Sequence, residues 1–209
     1  MSYDYLYKLV LIGDENVGKT SYADKLLSDV FFDVYRPTLG VDFYTKKLTL
    51  HDNIVIKTHM WDTAGHEKFY PIIKSYFLGI AGAIIFFDIT KRKTFDNVIN
   101  WVTRLKECNR DVFPILLLGT KSDKCKNREV DDGEAREYAK RNDMIYYEIS
   151  AKDNSNIINS FHELVRKIFS RMDVNNLGPG IQRHFSQDND RECNIKLNKE
   201  CKYRCCNII

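Results

Sequence analysis

Apolar residues recur along this chain in two alternating periods. Residues 6–12 form a near-continuous apolar run closed by Gly13, the pattern of a buried strand. Residues 19–27 then carry Tyr22, Ala23, Leu26 and Leu27 at helical spacing. Residues 28–41 have no period and contain Pro37, so they read as a loop. Residues 43–50 and 54–61 are rich in strand formers and are separated by His51-Asp52-Asn53, which predicts an antiparallel hairpin. A mixed loop-and-helix stretch runs on to about Leu78, and residues 82–87 are a further buried strand. A helix follows from about residue 94 to 109, with Val98, Trp101, Val102 and Leu105 on one face. Residues 115–118 and 145–148 read as strands, with a helix at about 132–141 between them. The last helix, about 157–172, turns Ile157, Ile158, Phe161, Leu164, Val165, Ile168 and Phe169 toward the core.

Six strands alternating with helices predict an α/β fold. Its sheet is mostly parallel, with helices on both faces and one antiparallel strand at the edge. The domain spans residues 1–174. From Asn175 onward the chain turns to Asn, Gly, Pro, Gln, Asp and Lys with few large apolar residues, so residues 175–209 are expected to be a disordered tail. No internal repeat is evident.

At 209 residues the chain makes one well-buried domain and little more. A net charge of +3 is too small to argue for nucleic acid. No run reaches the roughly 18 apolar residues of a membrane span, and the start lacks the basic segment of a secretory signal. Of six cysteines, Cys108 and Cys125 lie in the body while Cys193, Cys201, Cys205 and Cys206 crowd the end. A disulfide scaffold would spread them through the fold, so a reduced cytosolic compartment is expected.

The chemistry centres on Gly13-Asp14-Glu15-Asn16-Val17-Gly18-Lys19-Thr20, which sits between a strand and a helix. This is the phosphate-loop pattern, whose backbone N–H groups curl around phosphate oxygens at a helix N-terminus. Lys19 would reach the β- and γ-phosphates, and the Thr20 hydroxyl would take a position on Mg²⁺. Three more short motifs also fall at the carboxyl ends of strands: Asp62–Gly65, Thr120–Asp123 and Ser150–Lys152. In a parallel sheet those ends share one crevice. Asp62 would hold Mg²⁺, and Gly65 would let a backbone N–H approach the γ-phosphate. The Asp123 carboxylate can accept from guanine N1–H and the 2-amino group, with Lys121 along the base and the Ala151 N–H at O6. Taken alone, Thr120–Asp123 reads more readily as a solvated turn; its company favours guanine over adenine.

These motifs resemble the small Ras-like GTPases and, among them, the Rab family, over residues 5–172. The Rab-like stretches are Leu39-Gly40-Val41-Asp42-Phe43, Trp61-Asp62-Thr63-Ala64-Gly65, Tyr76-Phe77-Leu78-Gly79 and Phe87-Asp88-Ile89-Thr90. The resemblance implies a three-layer phosphate-loop GTPase fold and a GTP/GDP switch that hydrolyses GTP. It places the first switch at residues 35–43, from Tyr35, and the second from Asp62 to about Tyr76. It implies that Thr38 ligates Mg²⁺ with Thr20 and Asp62 and senses the γ-phosphate. Phe31 would lie beside the guanine and Ser21 beside the phosphates, with Ser150, Ala151 and Lys152 closing the base site. Phe43, Trp61 and Tyr76 match an aromatic triad read by partners; their alternative place is the core.

Four positions depart from the Rab pattern. His66 stands where glutamine usually orients the attacking water. Glu15 and Asn16 replace a small residue and a glycine. Asparagine tolerates positive φ, whereas a carboxylate at Glu15 would add charge near the γ-phosphate unless it turns to solvent. Thr120 replaces asparagine and can make a similar local bond. Lys19, Thr38, Gly65 and His66 form the expected catalytic set, with slow intrinsic hydrolysis; the alternative is a scaffold held in the GTP form.

The chain ends Cys205-Cys206-Asn207-Ile208-Ile209, which fits a prenylation pattern. The resemblance implies geranylgeranyl groups on the paired cysteines, and an anchor on the cytoplasmic face of an intracellular membrane with a cytosolic pool. It also implies effectors, an exchange factor, a GTPase-activating protein and a prenyl-binding chaperone acting on a monomer.

Overall fold

The computed structural model describes residues 2–28, 38, 40–65, 70–173 and 177–184. Seven strands among them form one sheet in the order β2-β3-β1-β4-β5-β6, with β7 also paired to β1. The strands are β1 (Tyr5–Gly13), β2 (Val41–Thr49), β3 (Val55–Thr63), β4 (Gly82–Asp88), β5 (Ile115–Thr120), β6 (Ile145–Glu148) and β7 (Ile181–Arg183). Every residue of β4 and β5 is buried, as expected of central parallel strands covered on both faces. β2 and β3 are the predicted antiparallel hairpin, and their register sets Phe43 opposite Trp61.

The helices are α1 (Lys19–Ser28), α2 (Tyr70–Ile73), α3 (Arg92–Asp96), α4 (Val98–Cys108), α5 (Asp132–Arg141) and α6 (Ile157–Arg171). The single helix expected over residues 94–109 is two, α3 and α4, meeting at Asn97. On α4, Val98, Trp101, Val102 and Leu105 are buried at helical spacing. Each aliphatic among them contributes about 1.5–3 kcal/mol relative to exposure. α5 begins where the Asp131 side chain accepts from Glu134 N at 3.2 Å, and Lys140 and Arg141 in its last turn complement the helix dipole.

Strand alternation divides the core in two. One half joins Leu9, Leu11 and Phe86 to Tyr22 of α1 and Phe161 of α6. The other joins Val10, Ile12 and Phe87 to Trp101 of α4 and Ala135 of α5. Loops at the carboxyl ends of the parallel strands are thereby gathered along one edge.

The tail departs from expectation. An unstructured chain from Asn175 does not hold for residues 177–184, and the sheet has seven strands where six were predicted. β7 pairs antiparallel to Tyr5–Tyr7, while β4 begins its own pairing with β1 only at Leu9. It thus fills the edge of β1 ahead of β4. Lys8 N donates to Gly180 O, and His184 N to Asp4 O, both at 2.8 Å. Gly180 has φ +73° and lies so close to the backbone that a Cβ would stand 2.4 Å from Ala81 N. Leu177 and Ile181 pack on the half of the core that includes α6. Three residues of such polar sequence carry no strand signal of their own; the unpaired β1 edge supplies it.

Candidate functional site

The phosphate loop joins β1 to α1 as the sequence predicts. Asn16 has φ +60°, the left-handed conformation that asparagine tolerates and that glycine would otherwise supply. Glu15 is exposed and Val17 fully buried, which fixes the loop from beneath. Asp14 turns inward: its Oδ1 accepts from Trp101 Nε1 at 2.8 Å and from Asn97 Nδ2.

Lys19 is only 6% exposed and donates to Gly13 O at 3.0 Å and Asp14 O at 2.7 Å. Burial pushes its ammonium down to about 8, against the pull of Asp62, Asp14 and Glu15. Asp62, at the end of β3, is fully buried, and burial pushes its carboxyl up to about 6 despite Thr20 and Lys19. A cation and an anion are thus each desolvated in one crevice. A bound phosphate chain with a metal ion would relieve both.

The three predicted metal ligands meet. Thr20 Oγ1 donates to Asp62 Oδ2 at 2.5 Å. Its single proton is then spent, so the 3.0 Å contact between the two threonine hydroxyls has Thr38 donating to Thr20. Among the described residues, Asp62 Oδ1 is buried without a hydrogen-bond partner. All the donors are hard oxygens with one carboxylate among them, and a buried oxygen is left to be satisfied. That set suits Mg²⁺, which takes few protein ligands and completes its octahedron with phosphate and water. Gly65 lies against the loop, where a Cβ would stand 2.3 Å from the carbonyl carbon of Asp14, so only glycine permits the approach. Ala64 N donates to Gly40 O at 2.8 Å, tying the start of β2 to the same corner.

The loops that follow β5 and β6 close the other side. Thr120 is buried and its hydroxyl donates to Val17 O at 2.7 Å, with Phe87 O at 3.0 Å sharing the proton. Lys121 has φ +63° and donates to Asn16 O at 2.9 Å, while its ammonium stands 2.7 Å from Asp88 Oδ2. Burial raises the Asp88 carboxyl, but Lys121 and Thr90 outweigh it and hold the group below the ordinary range. Asp123 Oδ1 accepts from Ser150 Oγ at 2.8 Å, and Ser150 Oγ accepts from Asp153 N at 3.1 Å. Ala151 is half-buried beside them, and Lys152 is exposed. Ser21 lies in the first turn of α1.

Val41, Asp42 and Phe43 open β2. Phe43, Trp61 and Tyr76 form a ladder of rings with centroids 4.7 and 5.0 Å apart. Phe43 is 48% exposed and the other two are half-buried, so the triad belongs to the surface and not to the core. Phe31, Tyr35, Leu39, His66, Cys205 and Cys206 lie outside the described residues.

Sequence reasoning missed Asp88, Asn97 and Trp101 as supports of the loops. Asp88 lies within a stretch noted for its likeness alone, and Trp101 reads only as a core position. No local signal marks an indole N–H as aimed at a loop 87 positions away.

The match to known proteins covers the domain so described. The Ras family model matches residues 8–170. The chain is 40% identical over 167 residues to the GTP-binding protein ypt3 of Schizosaccharomyces pombe, covering 80% of this chain and 78% of that protein. It is 38% identical over 167 residues to the Ras-related protein YPT3 of Nicotiana plumbaginifolia, covering 80% and 76% respectively. Over 165 residues it is 38% identical to the Ras-related protein RABA6a of Arabidopsis thaliana, covering 79% and 70%. With the phosphate loop, the Thr20–Thr38–Asp62 corner and the loops carrying Asp123 and Ala151 on one edge of the sheet, this chain belongs to the Ras family, as a Rab-type GTPase that binds GTP and GDP.

Proposed function

We propose that the chain is a membrane-anchored switch in vesicle traffic whose unaided hydrolysis is slow. The observation that carries the switch is the meeting of Thr20, Thr38 and Asp62 beside Lys19, with Gly65 pressed on the loop. A γ-phosphate at Lys19 gives Thr38 and Gly65 a common partner, and its loss on hydrolysis frees them. Thr20, Thr38 and Asp62 would hold Mg²⁺, which neutralises phosphate charge. Lys19 would stabilise the charge that builds as water attacks the γ-phosphorus and the bond to the β-phosphate oxygen breaks. Asp123 would select guanine, with Ser150 orienting its carboxylate.

Slow hydrolysis follows from His66, a residue with one acceptor and a different reach from glutamine. Weaker water placement would lower the rate about ten- to a hundredfold, or about 1.4–2.7 kcal/mol. Glu15 points the same way less strongly, because its side chain is exposed. A partner that supplies an arginine would restore about 10³–10⁵. Geranylgeranyl groups on Cys205 and Cys206 would fix the chain to the cytoplasmic face of a membrane, since two lipids hold where one does not. No helix among the described residues is long and apolar enough to cross a membrane. The GTP form would recruit effectors through Phe43, Trp61 and Tyr76. An exchange factor, an activating protein and a prenyl-binding chaperone would act on the monomer.

Single-turnover hydrolysis of GTP by the wild type, His66→Gln and Glu15→Ser tests the rate. A slow wild type that His66→Gln accelerates bears the reading out. An ordinary rate, unaltered by either change, overturns it. A negligible wild-type rate that either substitution restores would favour a scaffold held in the GTP form, or a dependence on a partner that brings its own catalytic groups.

A further inference from the structure

Asn97, Trp101 and Arg104 follow one another at helical spacing from the start of α4, so they share a face. Asn97 and Trp101 donate to the Asp14 carboxylate. Arg104 serves a different contact. It is half-buried, and its guanidinium carbon stands 4.8 Å from the Trp101 ring centre and 4.6 Å from that of Tyr70. Trp101 is its neighbour on the helix, but Tyr70 opens α2, within the stretch assigned to the second switch. Tyr70 reaches Arg104 because it packs on the same half of the core as Trp101 and Leu105.

A guanidinium over one ring is ordinary surface packing. Over two rings from separate elements it becomes a joint. Each ring's negative face attracts the cation, more strongly where water is excluded. The cation also draws electron density from the indole, which makes its N–H a better donor to Asp14.

The peptide of Asp14 is itself a meeting point. Its carbonyl oxygen accepts from Lys19 Nζ at 2.7 Å, and Gly65 packs on its carbonyl carbon. The second switch thus reaches this one residue twice. Gly65 touches its backbone, and Tyr70 reaches its side chain through Arg104 and Trp101.

We infer that Arg104 is a positioning residue that couples the place of Tyr70 to the grip of the phosphate loop on nucleotide. While Tyr70 is seated, Arg104 is held over Trp101 and the indole N–H on Asp14. When the switch carries Tyr70 away, the guanidinium loses one of its two rings and Asp14 part of its support. This rests on reading residues 62–76 as the second switch.

The test uses the full chain loaded with a fluorescent GDP. Arg104→Met and Tyr70→Leu should each quicken GDP release about three- to tenfold. The double variant should go no further than the faster single one, because both changes break the same joint. Arg104→Lys keeps a cation at the rings and should lie nearer the wild type. The chain has two tryptophans, so Trp61→Phe leaves Trp101 as the indole reporter. In that background its emission should differ between GDP and a non-hydrolysable GTP analogue, and Arg104→Met should remove the difference. Single-variant effects that multiply in the double variant overturn the inference, since the two residues then act apart. So does Arg104→Met that lowers the denaturation midpoint but leaves release unaltered, which makes the side chain packing alone. Amide exchange over residues 62–76 in the two nucleotide forms separates the joint from the switch. Exchange that differs while Trp101 emission does not overturns the inference and leaves the switch standing. Exchange and emission that are the same in both forms overturn the switch reading and the inference together.

Discussion

The indole N–H of Trp101 donates to Asp14 Oδ1 at 2.8 Å, joining α4 to the phosphate loop across 87 positions of sequence. Asn97 donates to the same oxygen. Two donors from one helix end therefore hold the side chain that stiffens the loop's first turn. Trp101→Phe keeps a ring in the core and removes one donor. It should destabilise the protein by about 1–2 kcal/mol in chemical denaturation. Release of bound GDP should quicken about three- to tenfold, because the loop would be less well ordered around the phosphates. Unchanged stability and release would mean that Asn97 alone suffices.

Lys121 ties two loops through Asp88, which is 1% exposed. The Asp88 carboxyl is held below the ordinary aspartate value of 3.8. A depressed carboxyl stabilises the fold above its unfolded value and loses that contribution as pH falls through the folded one. The wild type should therefore lose stability more steeply than Asp88→Asn below about pH 4. Near neutrality the variant should be weaker by about 1.5–3 kcal/mol and should bind GDP less tightly. Urea denaturation from pH 7 down to pH 3 reads both effects; parallel curves would remove the pair from the stability account.

Asp62 Oδ1 is buried without a hydrogen-bond partner among the described residues, and that oxygen is the reason to expect metal dependence. At fixed GDP, adding Mg²⁺ should raise the thermal midpoint of the wild type. The increment corresponds to about 2.7 kcal/mol when the ligand is a hundredfold above its dissociation constant. Asp62→Asn should lose most of that increment with a smaller change in the midpoint without metal, because the amide oxygen can still accept from Thr20 and relief of a desolvated charge offsets the lost attraction to Lys19. A full increment in the variant would place the metal elsewhere.

Gly180 has no room for a Cβ beside Ala81 N, and its φ of +73° is strained for any larger residue. Gly180→Val should undock β7. The amide of Lys8, which donates to Gly180 O, should then exchange faster with solvent, while amides of β4 keep their protection. Global stability should fall by about 1–2 kcal/mol from the lost packing of Leu177 and Ile181. Unchanged exchange at Lys8 would show that β7 is not held at this edge in solution.

The alternation of buried strands and amphipathic helices was legible because each element repeats its own signal over many residues. The loop from Gly13 to Thr20 was legible because phosphate binding restricts residue types at fixed spacing. Even its departure at Asn16 was readable, since the conformation required there limits the choice to few residues. The break at Asn97 between α3 and α4 was not legible, because the apolar face runs through it.

By itself the sequence determined the order of elements, the two-sided core and the loops that carry Lys19, Asp62, Asp123 and Ser150, all of which follow from local periodicity and local backbone demands. Only the tertiary structure decided how those loops are braced. The donation of Trp101 and Asn97 to Asp14, the pairing of Lys121 with Asp88 and the seating of β7 on β1 each join residues far apart in the chain. Such contacts depend on where whole helices and strands pack, and no local pattern encodes that placement.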